Sequence, residues 1–541
     1  MKNRALHIIL TLSLAVGVLL AMLLPGGGTG QNDQWFILEN GRWILEHGFP
    51  RTDPFHVWGG SIVIENWLWS VIMYLAWSVT GGAVGPSILV WSIVGSLAFL
   101  TWKVSKTVAK SELAAALSAL AVVVMLERLS IVVLRPTIAT ITLTMLAVLM
   151  LLKRIETGEA RWLATVPAIM LLSFNLHMAL AWLVILVPGV LMLADVVTKL
   201  VADGLKTAVR RSAEYAFTVA TSIAVTFLNP YGADGVAFLG KTMGVASYKE
   251  AIIELRPLSL QTAGQPEWYV DVAHTSWAAI SALAGLLAVS IAIVASSRRR
   301  LDTVRLRQVI ARLSIAAILL VAAVAASTVV AIRMAVLLIY PTAFLVPLTA
   351  DLATEWAGNH HALIPRLLGS CRNAVAAIVV VSAIVAPVLS TPGTSSVLGW
   401  KSEVDSLYST KAWLALEAAG AEPGDRVWSD GDYGSMLVWK GYEVSFDVRP
   451  ELIESSVNGR PGHHYYDYVD GQLDGDEKAV DRIMGAAAEA GCGWWVVDAG
   501  SPVDRRLSAE DSRHHAYRRV AVIGSGDHAV DVYKTIDEGS I

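Results

Sequence analysis

Charge is scarce in this sequence, and so is cysteine. Only 16% of its 541 residues are charged, where an average soluble protein carries about a quarter. Hydrophobic residues make up 55% and the mean hydropathy is +0.54, which excludes a chain that is water-soluble throughout. The two cysteines, Cys371 and Cys492, exclude a disulfide framework. Basic residues are also short where a free domain would need them to bind nucleic acid. Met1–Ser390 holds 28 Lys and Arg against 20 Asp and Glu, a net of +8, whereas Thr391–Ile541 holds 14 against 26, a net of −12. An acidic free domain argues against a nucleic-acid partner. No P-loop, zinc-ligand spacing or Ser-His-Asp order is present, and no internal repeat is visible. Gly524-Ser-Gly526 lies between two strand-like runs and reads as a hairpin turn rather than a dinucleotide fingerprint.

What is present is a series of apolar segments. Lys2 and Arg4 precede an apolar run from Ala5 to Leu24, long enough to span a bilayer and read as an uncleaved first helix with a cytoplasmic start. Others follow at about 66–79, 86–102, 113–126, 137–152, 162–173, 178–197, 213–228, 276–295, 313–330, 334–349 and 373–390. The positive-inside rule puts the Lys- and Arg-rich connections in the cytoplasm. It leaves a first outer loop 25–65, turns at Arg135, His177 and Arg333, and an outer loop 229–274 on the far side. The expectation is a mainly α polytopic membrane domain over 1–390 with about 11–13 transmembrane helices. An extracytoplasmic α/β domain over 391–541 follows. In it 410–419 and 477–490 read as helices, and 426–429, 444–446, 494–497, 520–523 and 530–533 as strands. Trp494-Trp495 reads as part of a buried strand, and His463-His464-Tyr-Tyr-Asp467 as a polar aromatic loop.

In the first outer loop, Phe36/Trp43, Ile37/Ile44 and Leu38/Leu45 are seven apart, and Glu39, Arg42 and Glu46 share another face. That pattern is an amphipathic helix of about 14 residues, suited to the interface plane. Asp33 stands at its start. An Asp there is either a helix cap or a catalytic carboxylate, and Asn32 is able to cap in its place. Asp53, before Pro54, reads as a turn residue and is the fallback carboxylate. A structureless loop as long as 229–274 is usually functional.

These features resemble the GT-C superfamily of integral membrane glycosyltransferases, and bacterial GT-C-like proteins in particular. The residues that carry the resemblance are Asp33-Gln-Trp-Phe, then Gly41-Arg-Trp-Ile-Leu-Glu-His-Gly-Phe-Pro-Arg-Thr-Asp53-Pro-Phe, Leu134-Arg135-Pro136, Phe174-Asn175-Leu-His177 and Leu228-Asn229-Pro-Tyr231-Gly. In the C-terminal part they are Tyr433-Gly-Ser-Met-Leu-Val-Trp and Phe446-Asp447-Val-Arg449-Pro-Glu451. The resemblance implies transfer of a sugar from a polyprenyl-phosphate donor to an envelope glycan, lipid or protein at the outer face of a bacterial cytoplasmic membrane.

Such a transfer needs a base for the acceptor hydroxyl, positive charge for the departing phosphate, and a dry cavity. Asp33 is the candidate base. Arg135 and Arg333 are candidates for the phosphate, since a guanidinium holds two oxygens at once. Snorkelling to headgroups is the plainer reading of each. His177 is a candidate donor to the phosphate, and Asn175, Asn229 and Tyr231 are candidate cavity residues. Many superfamily members carry an acidic pair near this loop, whereas Asp33 follows Asn32. A single carboxylate is a poor divalent-ion site, so no metal is assigned and the cofactor is unknown. The rival readings are a non-catalytic GT-C-like scaffold that binds a lipid carrier or partner, and a transporter or flippase. A transporter would carry charge near the bilayer centre and detectable repeats.

Overall fold

A computed structural model of the chain describes residues 33–109, 111–129, 131–243, 253–297, 303–360, 408–449, 452–454, 457, 463–514, 516–524 and 529–536. In the N-terminal two thirds the helices are α1 (Asp33–His47), α2 (Trp67–Thr80), α3 (Val84–Val108), α4 (Glu112–Arg128), α5 (Thr137–Thr157), α6 (Arg161–Leu176), α7 (Leu183–Asp203), α8 (Leu205–Ala224), α9 (Ala233–Met243), α10 (Glu267–Ser297), α11 (Thr303–Ala325) and α12 (Ile339–His360). The C-terminal part runs α13 (Tyr408–Ala418), β1 (Arg426–Ser429), α14 (Gly431–Trp439), β2 (Glu443–Val444), α15 (His464–Asp467), α16 (Glu477–Glu489), β3 (Trp494–Asp498), α17 (Pro502–His514), β4 (Tyr517–Ile523) and β5 (Val530–Thr535).

The described residues divide into two compact units. One comprises 87–229 and 253–360, and the other 33–86, 230–243 and the residues from 408 onward. The expected boundary at 390/391 lies outside the described residues. So do the apolar segments 5–24 and 373–390, the residue Asn32 and the cysteine Cys371.

The first unit is entirely helical. Among the described residues six helices are long and apolar enough to cross a membrane: Val84–Val108, Thr137–Thr157, Met178–Asp203, Tyr269–Ser297, Thr303–Val330 and Ile332–Trp356. Two more, α2 and α6, are apolar but shorter. Fourteen residues of α2 rise only about 21 Å, short of the roughly 30 Å of hydrocarbon in a bilayer. All ten described apolar segments of the sequence fall on helices. The packing between them is made of small and hydroxylated residues, as in membrane bundles where no hydrophobic force favours one apolar contact over another. Ser105 of α3 donates to Ser118 of α4 and to the carbonyl of Ala343 in α12, each at 3.0 Å. Ser290 of α10 meets Thr349 of α12 at 2.8 Å. Large side chains such as Leu186, Leu193, Phe217 and Val321 point outward, the pattern of a lipid-facing surface.

Regular winding is broken between α11 and α12, at the turn that carries Arg333. After α11 the chain winds as a π-turn over Ala326–Val330, passes through an extended Ala331 (φ −164°, ψ 144°) and resumes as a 3-10 helix over Ile332–Leu338 before α12. Segment 256–258 lies along the break. The amide of Leu258 donates to Ser327, and that of Ile332 donates to Arg256 at 2.7 Å. These bonds satisfy two of the backbone groups that the irregular winding frees. The long loop 229–274 is not structureless, because α9 and the start of α10 lie within it.

The second unit is built on a five-stranded sheet of order β2-β1-β3-β5-β4, with β1 parallel to β2 and β3 and the other pairs antiparallel. The five expected strands and both expected helices are present. Trp428 and Trp495 pack across β1 and β3 with ring centroids 5.5 Å apart and planes tilted by 30°, both fully buried. The α1 helix spans 15 residues and packs on α2 and α14. Of its expected polar face, Glu39 is buried, Arg42 half-buried and Glu46 exposed. Glu39 and Asn40 are enclosed along with Ile37, Leu38 and Ile44, while Leu45 is exposed. Burial pushes the Glu39 carboxyl up to about 7 despite its pairing with Arg42. Gly41 allows the close crossing with α2, since a Cβ there would lie 2.2 Å from the carbonyl oxygen of Ser70.

Candidate active site

Arg135, His177 and Arg333 come from three distant stretches of chain in the helical unit, and both guanidiniums act on the imidazole through their charge. Arg135 precedes Pro136, whose fixed φ of −67° starts α5. His177 closes α6 with an extended backbone (φ −163°), its N–H donating to Ser173 at 2.8 Å. Arg333 lies in the 3-10 turn just beyond the helix break. His177 is buried, and its Nδ1 is 3.4 Å from the hydroxyl of Thr140. Burial first, then the positive charges of Arg333 and Arg135, hold its pKa down to about 3. A neutral imidazole therefore faces two guanidiniums, Arg333 exposed and Arg135 half-buried. Arg135 pairs with Glu254 at 2.5 Å. Glu254 was invisible as a partner from sequence, because 119 residues separate it from Arg135.

The expected cavity residues are spent on the backbone. Asn175 donates to the carbonyls of Leu171 at 2.9 Å and Leu228 at 3.3 Å, and Asn229 donates to Thr226 at 2.8 Å. These bonds tie the end of α8 to the end of α6. Tyr231 lies in the other unit. It is buried edge-on to Phe49, with the Arg51 guanidinium 5.1 Å from its ring centre.

In the second unit Asp33 is the first residue of α1 and is partly exposed. Beside it, Gln34 is buried, and neither polar atom of its amide has a hydrogen-bond partner among the described residues. Asp53 is enclosed. Its Oδ1 accepts the amide of Phe55 at 2.9 Å, and its Oδ2 lies 2.8 Å from His56 Nδ1. The other ring nitrogen of His56 is 3.5 Å from Asp447. Asp447 in turn accepts from the Arg449 backbone and side chain, and Arg449 also donates to Asn40 of α1 at 3.2 Å. Burial lowers the pKa of His56, but the carboxylates of Asp53 and Asp447 more than offset it and leave it raised. Burial raises that of Asp447, and Arg449 and His56 bring it well below the usual carboxylate range. Asp53 thus belongs to a buried ion network. His56 and Asp447 carry no sequence signal for it beyond being polar residues in apolar surroundings.

A third polar group lies at the carboxyl ends of the parallel strands β1 and β3. The buried Asp430 accepts from Gln472 at 2.8 Å and from the amide of Asp498 at 2.9 Å, while Tyr433 donates to Asp498. Burial and the neighbouring Asp498 raise Asp430 well above the usual range. Among the described residues no group of three or more His, Cys, Asp or Glu is placed to hold a metal ion.

Among solved structures the chain is similar to the Archaeoglobus fulgidus oligosaccharyltransferase in its apo form. The TM-score is 0.56 at 13% identity, covering 90% of this chain and 69% of that one. It is likewise similar to that oligosaccharyltransferase tethered by a disulfide bond to an acceptor peptide containing the NVT sequon, at a TM-score of 0.54, 13% identity and the same coverage. No protein-family model matches the chain, and no curated protein matches it. At this identity the likeness establishes the fold. The protein is a multi-pass membrane protein with the GT-C fold, as its sequence resemblance implied.

Proposed function

We propose that the protein is a glycosyltransferase that moves a sugar from a polyprenyl-phosphate donor to an envelope glycan, lipid or protein acceptor at the outer face of a bacterial cytoplasmic membrane. The observation that carries this reading is the convergence of Arg135 and Arg333 on a buried, neutral His177. Two guanidiniums supply charge for a departing phosphate. An imidazole held neutral donates or accepts a hydrogen bond without adding charge. Asp33 is the general base that takes the proton of the acceptor hydroxyl, and direct attack inverts the anomeric carbon. The buried, unbonded amide of Gln34 is available to orient that hydroxyl.

The test is sugar transfer by the purified protein in membranes with radiolabelled polyprenyl-phosphate sugars. Loss of transfer in Asp33→Asn with donor binding intact supports the base. Loss of donor binding in Arg135→Gln or Arg333→Gln supports the phosphate group. One observation favours the non-catalytic scaffold: Glu254 already neutralises Arg135. That reading gains if no donor reacts while the lipid carrier still binds.

A further inference from the structure

At the opposite end of α5 from Arg135 lies a second cluster of arginines, which the proposed transfer does not use. From Thr137, the start of α5, to Arg154 the helix rises about 26 Å at 1.5 Å per residue, close to the roughly 30 Å of bilayer hydrocarbon. Arg154 stands in the last turn of α5 and is 4% exposed. Its Nη2 donates to Glu214 of α8 at 2.5 Å. Its Nε and Nη1 are buried and have no hydrogen-bond partner among the described residues. Arg211 of α8 lies 3.3 Å from Asp195 of α7, and Asp195 also accepts from Tyr215 at 2.6 Å. The Nη1 of Arg211 is 3.7 Å from Glu214 and likewise makes no hydrogen bond. The exposed Arg210 approaches Glu214 at 3.5 Å.

Three guanidiniums and two carboxylates leave one positive charge and three unmet buried donors. Helix pairs in a membrane gain nothing from such a surplus. A buried charge without full hydrogen bonding is costly, and a guanidinium with free N–H groups is suited to bind phosphate oxygens. The outward faces of α7 and α8 beside it are apolar, with Leu193, Val197, Val209 and Phe217 exposed. That surface suits acyl chains, and basic pockets between membrane helices are where anionic headgroups bind.

We propose that Arg154, Arg210 and Arg211 form a binding site for the phosphodiester headgroup of an anionic phospholipid. One phosphodiester charge balances the cluster, and its two free oxygens meet the unmet donors of Arg154 and Arg211. The acyl chains lie along the exposed apolar faces of α7 and α8. The site is separate from the donor-phosphate residues at the other end of α5 and does not depend on them.

The experiment is native mass spectrometry of the full chain in detergent, titrated with phosphatidylglycerol, phosphatidylcholine or inorganic phosphate. Phosphatidylglycerol binds saturably, and phosphatidylcholine, with the same phosphodiester but no net charge, binds far more weakly. Arg154→Gln and Arg211→Gln each weaken phosphatidylglycerol about tenfold, the weight of one hydrogen bond to a charged group. Glu214→Gln removes the competing carboxylate and tightens it. Arg161→Gln, an exposed residue paired with Glu159, changes nothing. If Arg154→Gln does not fold, Arg211→Gln and Glu214→Gln decide. Equal binding of the two lipids, or unchanged affinity in Arg211→Gln together with weaker binding in Glu214→Gln, overturns the site and leaves a structural ion network. Inorganic phosphate that displaces phosphatidylglycerol at equal concentration overturns the lipid as its source.

Discussion

Replacing Arg449 with glutamine removes the group that holds Asp447 ionised. In the native chain the Asp447 carboxylate is fully enclosed, and its Oδ2 is held by the Arg449 side chain, with Nε at 2.8 Å. Arg449 also bridges to Asn40 and faces the rings of Phe36 and Phe55 at 4.8 and 5.3 Å. Breaking a buried ion pair from one side costs about 3–5 kcal/mol, because the remaining charge stays buried. At about 1.4 kcal/mol per tenfold, the local opening equilibrium rises by roughly a hundredfold or more. The assay is hydrogen–deuterium exchange of the full-length protein, followed at the amides this network holds. These are Phe55, bonded to Asp53, Val57 and Val444, which link the 55–57 segment to β2, and Arg449 itself. The expected result is exchange at least about a hundredfold faster in 53–57 and 444–449, with α16 and β5 unchanged. Asp447→Asn combined with Arg449→Gln restores much of the protection, since the carboxylate that lost its guanidinium is then neutral. Exchange in Arg449→Gln within about threefold of wild type, well under 1 kcal/mol, refutes the reasoning.

Three other outcomes follow from the same structure. His56 has a raised pKa, so its contribution is complete below its unfolded value near 6.5 and is lost as pH rises through the folded value. Asp447 has a lowered one, so its contribution is complete above about 3.8 and is lost as pH falls through the folded value. Protection of 53–57, corrected for intrinsic exchange, is therefore greatest between about 3.8 and 6.5, the two unfolded values, and falls on the alkaline side above that window. A His56→Gln variant removes the alkaline fall. Gly41→Ala puts a methyl 2.2 Å from the Ser70 carbonyl and destabilises by about 1–3 kcal/mol through overpacking, read as a lower midpoint of thermal unfolding in detergent. Glu254→Gln releases Arg135 from its ion pair and strengthens binding of polyprenyl phosphate several-fold, measured by titration of the lipid, whereas Arg135→Gln weakens it.

Local pattern carried much of this fold. The strand runs around Trp428, Trp495 and Tyr533 are short and apolar, and all three residues are buried where those runs place them. The helix at Glu477–Glu489 has its Asp476 cap, which accepts from the amide of Lys478. The grouping of Arg135, Arg333 and His177 was legible because each ends or interrupts an apolar run on the same side of the charge pattern. Asp53 was placed in a turn, and its turn bond to Phe55 is present. His56 lies only three residues beyond Asp53, but its second carboxylate, Asp447, was not legible, because that contact depends on how segments hundreds of residues apart pack. The face of α1 was misjudged for a similar reason. Periodicity identifies a helix and an apolar stripe, but α2 and α14 cover more than that stripe and enclose Glu39 and Asn40 as well.

The sequence by itself determined that the chain spans a membrane repeatedly, where most of its helices lie, and that an acidic α/β region follows. These depend on composition and on periods of two or about 3.6 residues, which each segment carries alone. Tertiary structure alone decided the partners of the charges. Arg135 met Glu254, Arg154 met Glu214, and Asp447 lay between His56 and Arg449. A buried charge requires a counter-charge, but the residue that supplies it is fixed by packing between segments far apart in the chain.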